Sequence, residues 1–510
     1  MTEYPRRDFL KIALAGALAA AGNAGLTTDA SAEPFGPPTP FSADTTQAAA
    51  RDLAKAAYKA PAAPLPEPFP SLNFDQYAAI RRAPGTAIWQ DAHAPFTLEP
   101  LHRGFLFTTE VDLYVVENGE ARKLIYDRSL FDFGKLDVPK DLPDLGFSGV
   151  RILKGGGGEG WTDAAIFQGA TFFRSLARGQ SYGLSARGLS VHTGDAQGEE
   201  FPVFRALWIE KPSLATDALV VHALLDSTSL TAAFRFTIRA GEATIIDTEL
   251  TLYARTDVDH LGLGSMTGAY LFGALDHLRP DDVRAAVHEI GGLQILSGSG
   301  EWIWRPVANR TTLQISAFVD KNPRGFGMLQ RNRSFDAYED DQSHWELRPS
   351  LWIEPIGDWG EGETMLLEIP TDQETHENIV ALWQPKAGLA AGGSVSFAYR
   401  QFWCWTPPAK PDLAIVTHSR MGKAGKHLRF IVEFVSDEFA DPQKAAQATA
   451  ALDANPGEVV AVHLYPYKER RSIRVVFDLD PGSNAFSELR LSLKSANKPV
   501  SETWLYRWTA

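Results

Sequence analysis

The chain has 510 residues, 44% hydrophobic and 22% charged, a balance ordinary for a globular protein with room for more than one core. Its net charge of −14, with the positive residues spread along the chain, opposes binding to phosphate backbones and to anionic lipid, so neither nucleic acid nor a membrane surface is an expected partner. The single cysteine, Cys404, excludes an intramolecular disulfide.

The N-terminus reads as an address. Arg6-Arg7-Asp8-Phe9-Leu10-Lys11 precedes a Gly/Ala/Leu run from Ile12 to Ala21, and Ala30-Ser31-Ala32 supplies small residues before Glu33. This order predicts a cleaved signal peptide over 1–32, and the paired arginines predict the twin-arginine type, which carries folded cargo out of the cytoplasm. No later segment approaches the ~20 apolar residues needed to span a bilayer, so the mature chain is expected to be soluble.

Pro34 to Phe41 reads as a loop, Thr45 to Lys59 as an Ala-rich helix and Asn73 to Arg82 as a second helix. Beyond these, strands dominate. Leu106 to Val116 alternates, and Asn118-Gly119 predicts a tight hairpin into Arg122–Tyr126. Further β-rich runs cover Leu219–Leu225, Thr231–Ile238, Ala243–Tyr253 and Thr312–Val319. Many strands divided by Gly and Pro turns predict an all-β fold of the sandwich or barrel class. Thr406-Pro407-Pro408-Ala409-Lys410-Pro411 predicts a linker, because proline stiffens the chain and resists sheet pairing. It divides an N-terminal β domain (33–405) from a C-terminal domain (412–510). The runs His427–Phe434, Val459–Tyr465, Ile473–Leu479 and Leu489–Leu493 give that second domain the strand spacing of an immunoglobulin-like sandwich.

Most chemical motifs fail on inspection. Gly155 to Gly158, with Glu159-Gly160, lacks the Lys-Ser or Lys-Thr of a phosphate-binding loop and reads as a plain loop. His288-Glu289 lacks a second histidine at metal-binding spacing, so no metal and no cofactor are expected. No serine sits in a nucleophile elbow, and Cys404, between Trp403 and Trp405, reads as a buried apolar residue. Carboxylates remain. Glu289 precedes Gly291-Gly292 and the Trp302/Trp304 pair, and Glu377 leads Asn378-Ile379-Val380 into an apolar run. Thirteen tryptophans suit either sugar stacking in a cleft or core packing.

Several long strings point further. Tyr182-Gly-Leu-Ser-Ala-Arg-Gly-Leu189, Gly300-Glu-Trp-Ile-Trp-Arg-Pro306, Asn322-Pro-Arg-Gly-Phe-Gly-Met-Leu-Gln330, Arg348-Pro-Ser-Leu-Trp-Ile-Glu-Pro355 and Ser501-Glu-Thr-Trp-Leu-Tyr506 stand in order along the chain. Together with Glu368-Ile-Pro370 through Trp383-Gln-Pro385, they make the sequence from about residue 45 onward resemble the periplasmic glucan biosynthesis proteins G and D. The leader resembles the D branch. The resemblance implies a large N-terminal β-sandwich joined to a smaller immunoglobulin-like domain, a periplasmic location, and action on β-1,2-linked glucan by hydrolysis or transglycosylation.

The family's general base is an Asp in a His-Asp-Ser-Asp-Gly-Leu string and its general acid an Asp in an Asp-Asn-Ile-Val string. Here the strings read His288-Glu289-Ile290-Gly291-Gly292-Leu293 and Glu377-Asn378-Ile379-Val380. The resemblance therefore makes Glu377 the acid and Glu289 the base, each one methylene longer than in the family. Inverting glycosidases separate the two carboxyls by ~6.5–9.5 Å and retaining ones by ~5–5.5 Å, so longer arms alter the geometry. Arg187, Trp302, Trp345 and Trp352 are the expected cleft residues. The stretch Thr417–Arg429 is short where D-type relatives carry an insertion that reaches a neighbouring subunit, which leaves a homodimer open. The expected reading is a glucan-active enzyme, and the alternative is a non-catalytic glucan-binding or assembly protein on the same fold.

Overall fold

A computed structural model describes residues 35–61, 64–90, 94–155, 160–213, 215–275 and 281–510. The leader, with its arginine pair and cleavage site, lies outside the described residues, as does most of the Gly155–Glu159 loop.

Among the described residues, two large antiparallel-dominated sheets face each other. One has sixteen strands, with Leu219–Asp226, Leu230–Arg239, Thr244–Ala254 and Ser394–Cys404 neighbours at its centre. The other has ten, running from Gln314–Lys321 through Glu361–Glu368, Ile379–Pro385, Leu261–Gly268, Ser185–Arg187 and Phe172–Ser175 to Phe96–Leu101. Their inner faces interdigitate through rings. Phe167 and Phe173 of the smaller sheet each stand 5.3 Å from Phe236 of the larger one, and Phe173 also meets Trp403 at 6.3 Å. This is the packing expected of a sandwich built from alternating inward side chains.

The predicted all-β class holds. At Asn118 and Gly119 φ is 53° and 79°, the left-handed pair that a type I′ turn demands, between Asp112–Glu117 and Glu120–Lys123. Both expected helices are shorter than predicted. The first spans Ala43–Ala54 and ends where Arg255 takes the carbonyls of Leu53 and Ala56 at 2.9 and 2.8 Å, so the chain turns away before Lys59. Its buried Ala50 packs beside Ala233 and Tyr253, covering the outer face of the larger sheet. The second shrinks to Phe74–Ala78, because Arg81–Arg82 pairs instead as a short strand with Phe131–Asp132.

Residues 407–411 belong to no strand or helix. Beyond them, Ile415–Ala424, His427–Val435, Ser472–Asp480 and Glu458–Tyr467 form a four-stranded sheet. It packs on a second layer of Thr449–Asn455, Phe486–Ser495 and Thr503–Thr509, with Phe430 stacked on Phe477 at 5.0 Å in the core between them. The second layer does not stand apart: Ile303 and Trp304 pair in parallel with Thr503 and Trp504, extending the sixteen-stranded sheet into the C-terminal module. Buried Glu502 reinforces the seam. Arg331 grips it with two hydrogen bonds of 2.6 and 3.0 Å, and the Val416 amide donates to it at 2.7 Å.

Candidate carboxylate site in the large cavity

A cavity of about 2190 Å³ opens between the ten-stranded sheet and the C-terminal module. Its wall takes residues from the Pro-rich segment after the first helix, from the loops around 193–201 and 369–377, and from the strand that ends in Trp508. Glu377 stands on this wall although only 3% of it is exposed.

Three strands place the partners of Glu377. Ser185 pairs with Thr267 across two of them, and Arg174 lies on the strand alongside. Arg174 donates to Glu377 Oε1 at 2.7 Å and Ser185 to the same oxygen at 2.6 Å, while the Thr267 hydroxyl donates to Oε2. Both carboxylate oxygens thus act as acceptors, two of their donors being uncharged hydroxyls and the third a guanidinium.

Glu289 sits behind that wall and is fully buried. It clasps a bend at the end of Leu261–Gly268: its Oε1 accepts from the Ala269 amide at 2.8 Å, and its own amide donates to the Ala269 carbonyl at 3.0 Å. The next amide, Tyr270, donates to Asn378 Oδ1 at 2.8 Å. One two-residue bend therefore carries Glu289 on one amide and the neighbour of Glu377 on the next. Glu289 Oε2 has no hydrogen-bond partner. Burial and, second, the negative charge of Glu377 raise the Glu289 carboxyl from 4.5 to about 7, against the opposing pull of Arg348 and Arg174. Gly183 leaves the space this carboxyl needs: a Cβ there would lie 3.1 Å from Glu289 Oε2 and 3.0 Å from Arg348 Cβ. His288, next in the chain, stacks on Tyr270 at 4.9 Å, and burial holds its imidazole down to about 4.

The remaining expected residues divide. Arg187 stands on the cavity wall, ion-paired with Glu199 and laid over the Phe172 ring at 4.8 Å. The tryptophans lie elsewhere. Trp345 and Trp352 are buried in the interior, and Trp302 stacks on Trp352 at 5.9 Å in a cluster with Phe402 and Cys404. None of the three lines the cavity. The aromatic surface there comes from Tyr58, Phe172, Phe201, Tyr506 and Trp508. Cys404 is buried, and burial pushes its thiol up to about 12. Arg174, Ser185 and Thr267 escaped notice in the sequence. Ser185 alone had a signal, inside the Tyr182–Leu189 string. Among the described residues no group of three or more His, Cys, Asp or Glu is arranged to hold a metal, and no helix is long and apolar enough to cross a membrane.

Residues 41–508 match the family described as "Periplasmic glucan biosynthesis protein, MdoG". The chain belongs to this family. Similar relatives are named glucans biosynthesis protein G. That of Rhodopseudomonas palustris strain BisA53 is 44% identical, with 92% of this chain and 94% of the relative covered. That of Bradyrhizobium diazoefficiens is 43% identical, covering 92% and 93%. That of Vibrio cholerae is 40% identical, covering 92% and 87%. The G/D resemblance read from the six strings is thus the family relationship. The likeness to the D branch rested on the leader, outside the described residues.

Proposed function

We propose that this protein acts in periplasmic glucan biosynthesis by binding a β-1,2-linked glucose backbone in the large cavity and cleaving or transferring it with the Glu377–Glu289 pair. The observation that carries this reading is that one bend holds Glu289 by the Ala269 amide and Asn378, the neighbour of Glu377, by the Tyr270 amide, with Glu377 at the wall of the cavity. The cavity exceeds the ~300–1,000 Å³ typical of small-molecule sites, which suits an oligomer. Its aromatic faces suit sugar rings, and its Arg and carboxylate groups suit hydroxyls.

The raised Glu289 carboxyl, under burial and the charge of Glu377, keeps one proton on the pair near neutral pH. Glu377, at the wall, takes up the proton held on the pair and passes it to the glycosidic oxygen as the bond to the anomeric carbon breaks. A water or a sugar hydroxyl then forms the new bond and gives up its proton, which returns to the pair. Glu289 acts from behind the wall, which departs from the expectation that it meets the incoming water directly. Trp345 and Trp352 lie in the core, and the aromatic faces open to a sugar ring at the cavity are those of Tyr58 and Phe201.

A second reading has its own support. Glu289 is sealed from the cavity and both oxygens of Glu377 are engaged, a state that suits a binding or assembly protein without turnover. Incubation with linear β-1,2-glucan, followed by product sizing, separates the two. New chain lengths or rings that disappear in Glu377→Gln support the enzyme. Binding with unchanged glucan supports the second reading. Export through the twin-arginine leader belongs to the same proposal: Arg6→Lys with Arg7→Lys should leave the precursor in the cytoplasm on fractionation, and normal export of that variant rejects this part.

A further inference from the structure

Away from the cavity wall, one guanidinium gathers three carboxylates. Arg284 Nε and Nη2 meet Asp282 at 3.0 and 2.8 Å, Nη1 meets Asp340 Oδ2 at 2.7 Å, and Nη2 also meets Glu374 Oε2 at 2.6 Å. The side chain is 20% exposed, and Arg284 is absent from the cavity lining. What distinguishes this knot is where its members sit. Arg284 leads directly into Val287–His288 and Glu289. Glu374 begins the turn that delivers His376 and Glu377. Asp340 is itself a fixed point: its Oδ1 accepts the Gln342 and Ser343 amides at 3.0 and 2.9 Å, and its Oδ2 accepts the Trp345 indole at 2.9 Å.

We propose that Arg284 is the positioning residue of the carboxylate pair: it ties the segment that carries Glu289 and the segment that carries Glu377 to one rigid point, and so sets the distance between the two acids. The proposal rests on the reading of Glu377 and Glu289 as the working pair. The physical reason is the planar fork of arginine, which satisfies several acceptors in fixed directions, whereas lysine offers a point charge without that geometry. Each acid also has its own local anchor, Ala269 for Glu289 and the Arg174–Ser185–Thr267 row for Glu377. The local anchors hold each carboxyl to the sheet; the Arg284 knot joins the two approaching segments to each other. A misplacement of ~1 Å at a reacting group costs ~100-fold in rate, so a tie of this kind has a kinetic consequence without touching substrate.

The test compares wild type, Arg284→Ala, Arg284→Lys and Glu374→Gln by hydrogen exchange and by turnover of linear β-1,2-glucan. In Arg284→Ala, exchange should rise about tenfold or more in both 281–290 and 371–378, the change expected when hydrogen bonds to a charged group are lost. Exchange in 230–239 should stay unchanged. The kcat should fall by ~100-fold while KM stays within about twofold, with Arg284→Lys intermediate. Glu374→Gln removes the charge of one arm with little change of shape and leaves Arg284 on Asp282 and Asp340, so 371–378 should loosen in it even if Arg284→Ala does not fold, and unchanged exchange there overturns the proposal. In folded Arg284→Ala, loosening of only one segment, or of neither, overturns the proposal, as does a rise in KM with kcat unchanged. Wild-type protein that binds glucan without turnover overturns the enzymatic reading instead, and the exchange comparison still decides whether Arg284 joins the two segments.

Discussion

Replacing Glu289 with glutamine removes a buried acid whose proton the fold retains up to about pH 7 and which the unfolded chain releases near 4.5. Between those values the folded state binds more protons than the unfolded one, so this group's contribution to stability is full below about 4.5 and is lost as the pH rises toward 7. At 1.36 kcal/mol per tenfold change in proton affinity, the loss is about 3 kcal/mol. Burial holds His102 and His288 down to about 4, and these oppose the trend, since a depressed imidazole makes stability rise with pH up to its unfolded value of 6.5. The informative quantity is therefore the difference between two curves. Chemical unfolding of wild type and Glu289→Gln from pH 4.5 to 8.5 should show the variant gaining about 3 kcal/mol on the wild type across that range. A difference that stays constant with pH would refute the argument that Glu289 is held protonated by burial and by Glu377.

Three further outcomes follow from contacts described above. Glu502→Ala leaves the Arg331 guanidinium without its carboxylate at the seam, with only the Val416 carbonyl still accepting from it, and should lower the unfolding free energy by about 3–5 kcal/mol, measured by urea denaturation. Gly183→Ala should cost about 1–3 kcal/mol through crowding alone, because the new methyl meets Arg348, Pro349 and Glu289 at 3.0–3.1 Å; thermal unfolding reads it. Cys404, 2% exposed and with its thiol pushed up to about 12, should resist a thiol-specific reagent in native protein and react fully in denaturant. Rapid labelling of native protein would contradict its burial.

Local chemistry was legible in the sequence and long-range placement was not. Asn118-Gly119 specified its own turn, and the alternation in Thr312–Val319 became the edge strand Gln314–Lys321, whose residues alternate between half-buried and exposed. Trp345 and Trp352 were ambiguous in sequence because a large indole gains as much from a core as from a sugar face, and the fold buries both. Arg174 and Thr267 are unremarkable in sequence, and with Ser185, each on a different strand, they become a set only when sheet register brings them to Glu377. The first helix stopped early for a similar reason, since Arg255, far along the chain, claimed its last carbonyls.

The parallel pairing of Trp302–Pro306 with Thr503–Thr509 also bears on how the chain is made. When synthesis has delivered the first module, the strand Trp302–Pro306 is paired on one side, with Gly292–Leu296, while its other neighbour, Thr503–Thr509, is made only much later in the chain. Until that strand arrives, the first module offers an open β edge beside Trp304 and Leu329, two apolar residues whose cover comes from the C-terminal core. Open edges of this kind recruit other chains. The strand Thr503–Thr509 thus closes the open edge beside Trp302–Pro306, and a nascent or truncated chain lacking it is an aggregation hazard even though its own sandwich is complete.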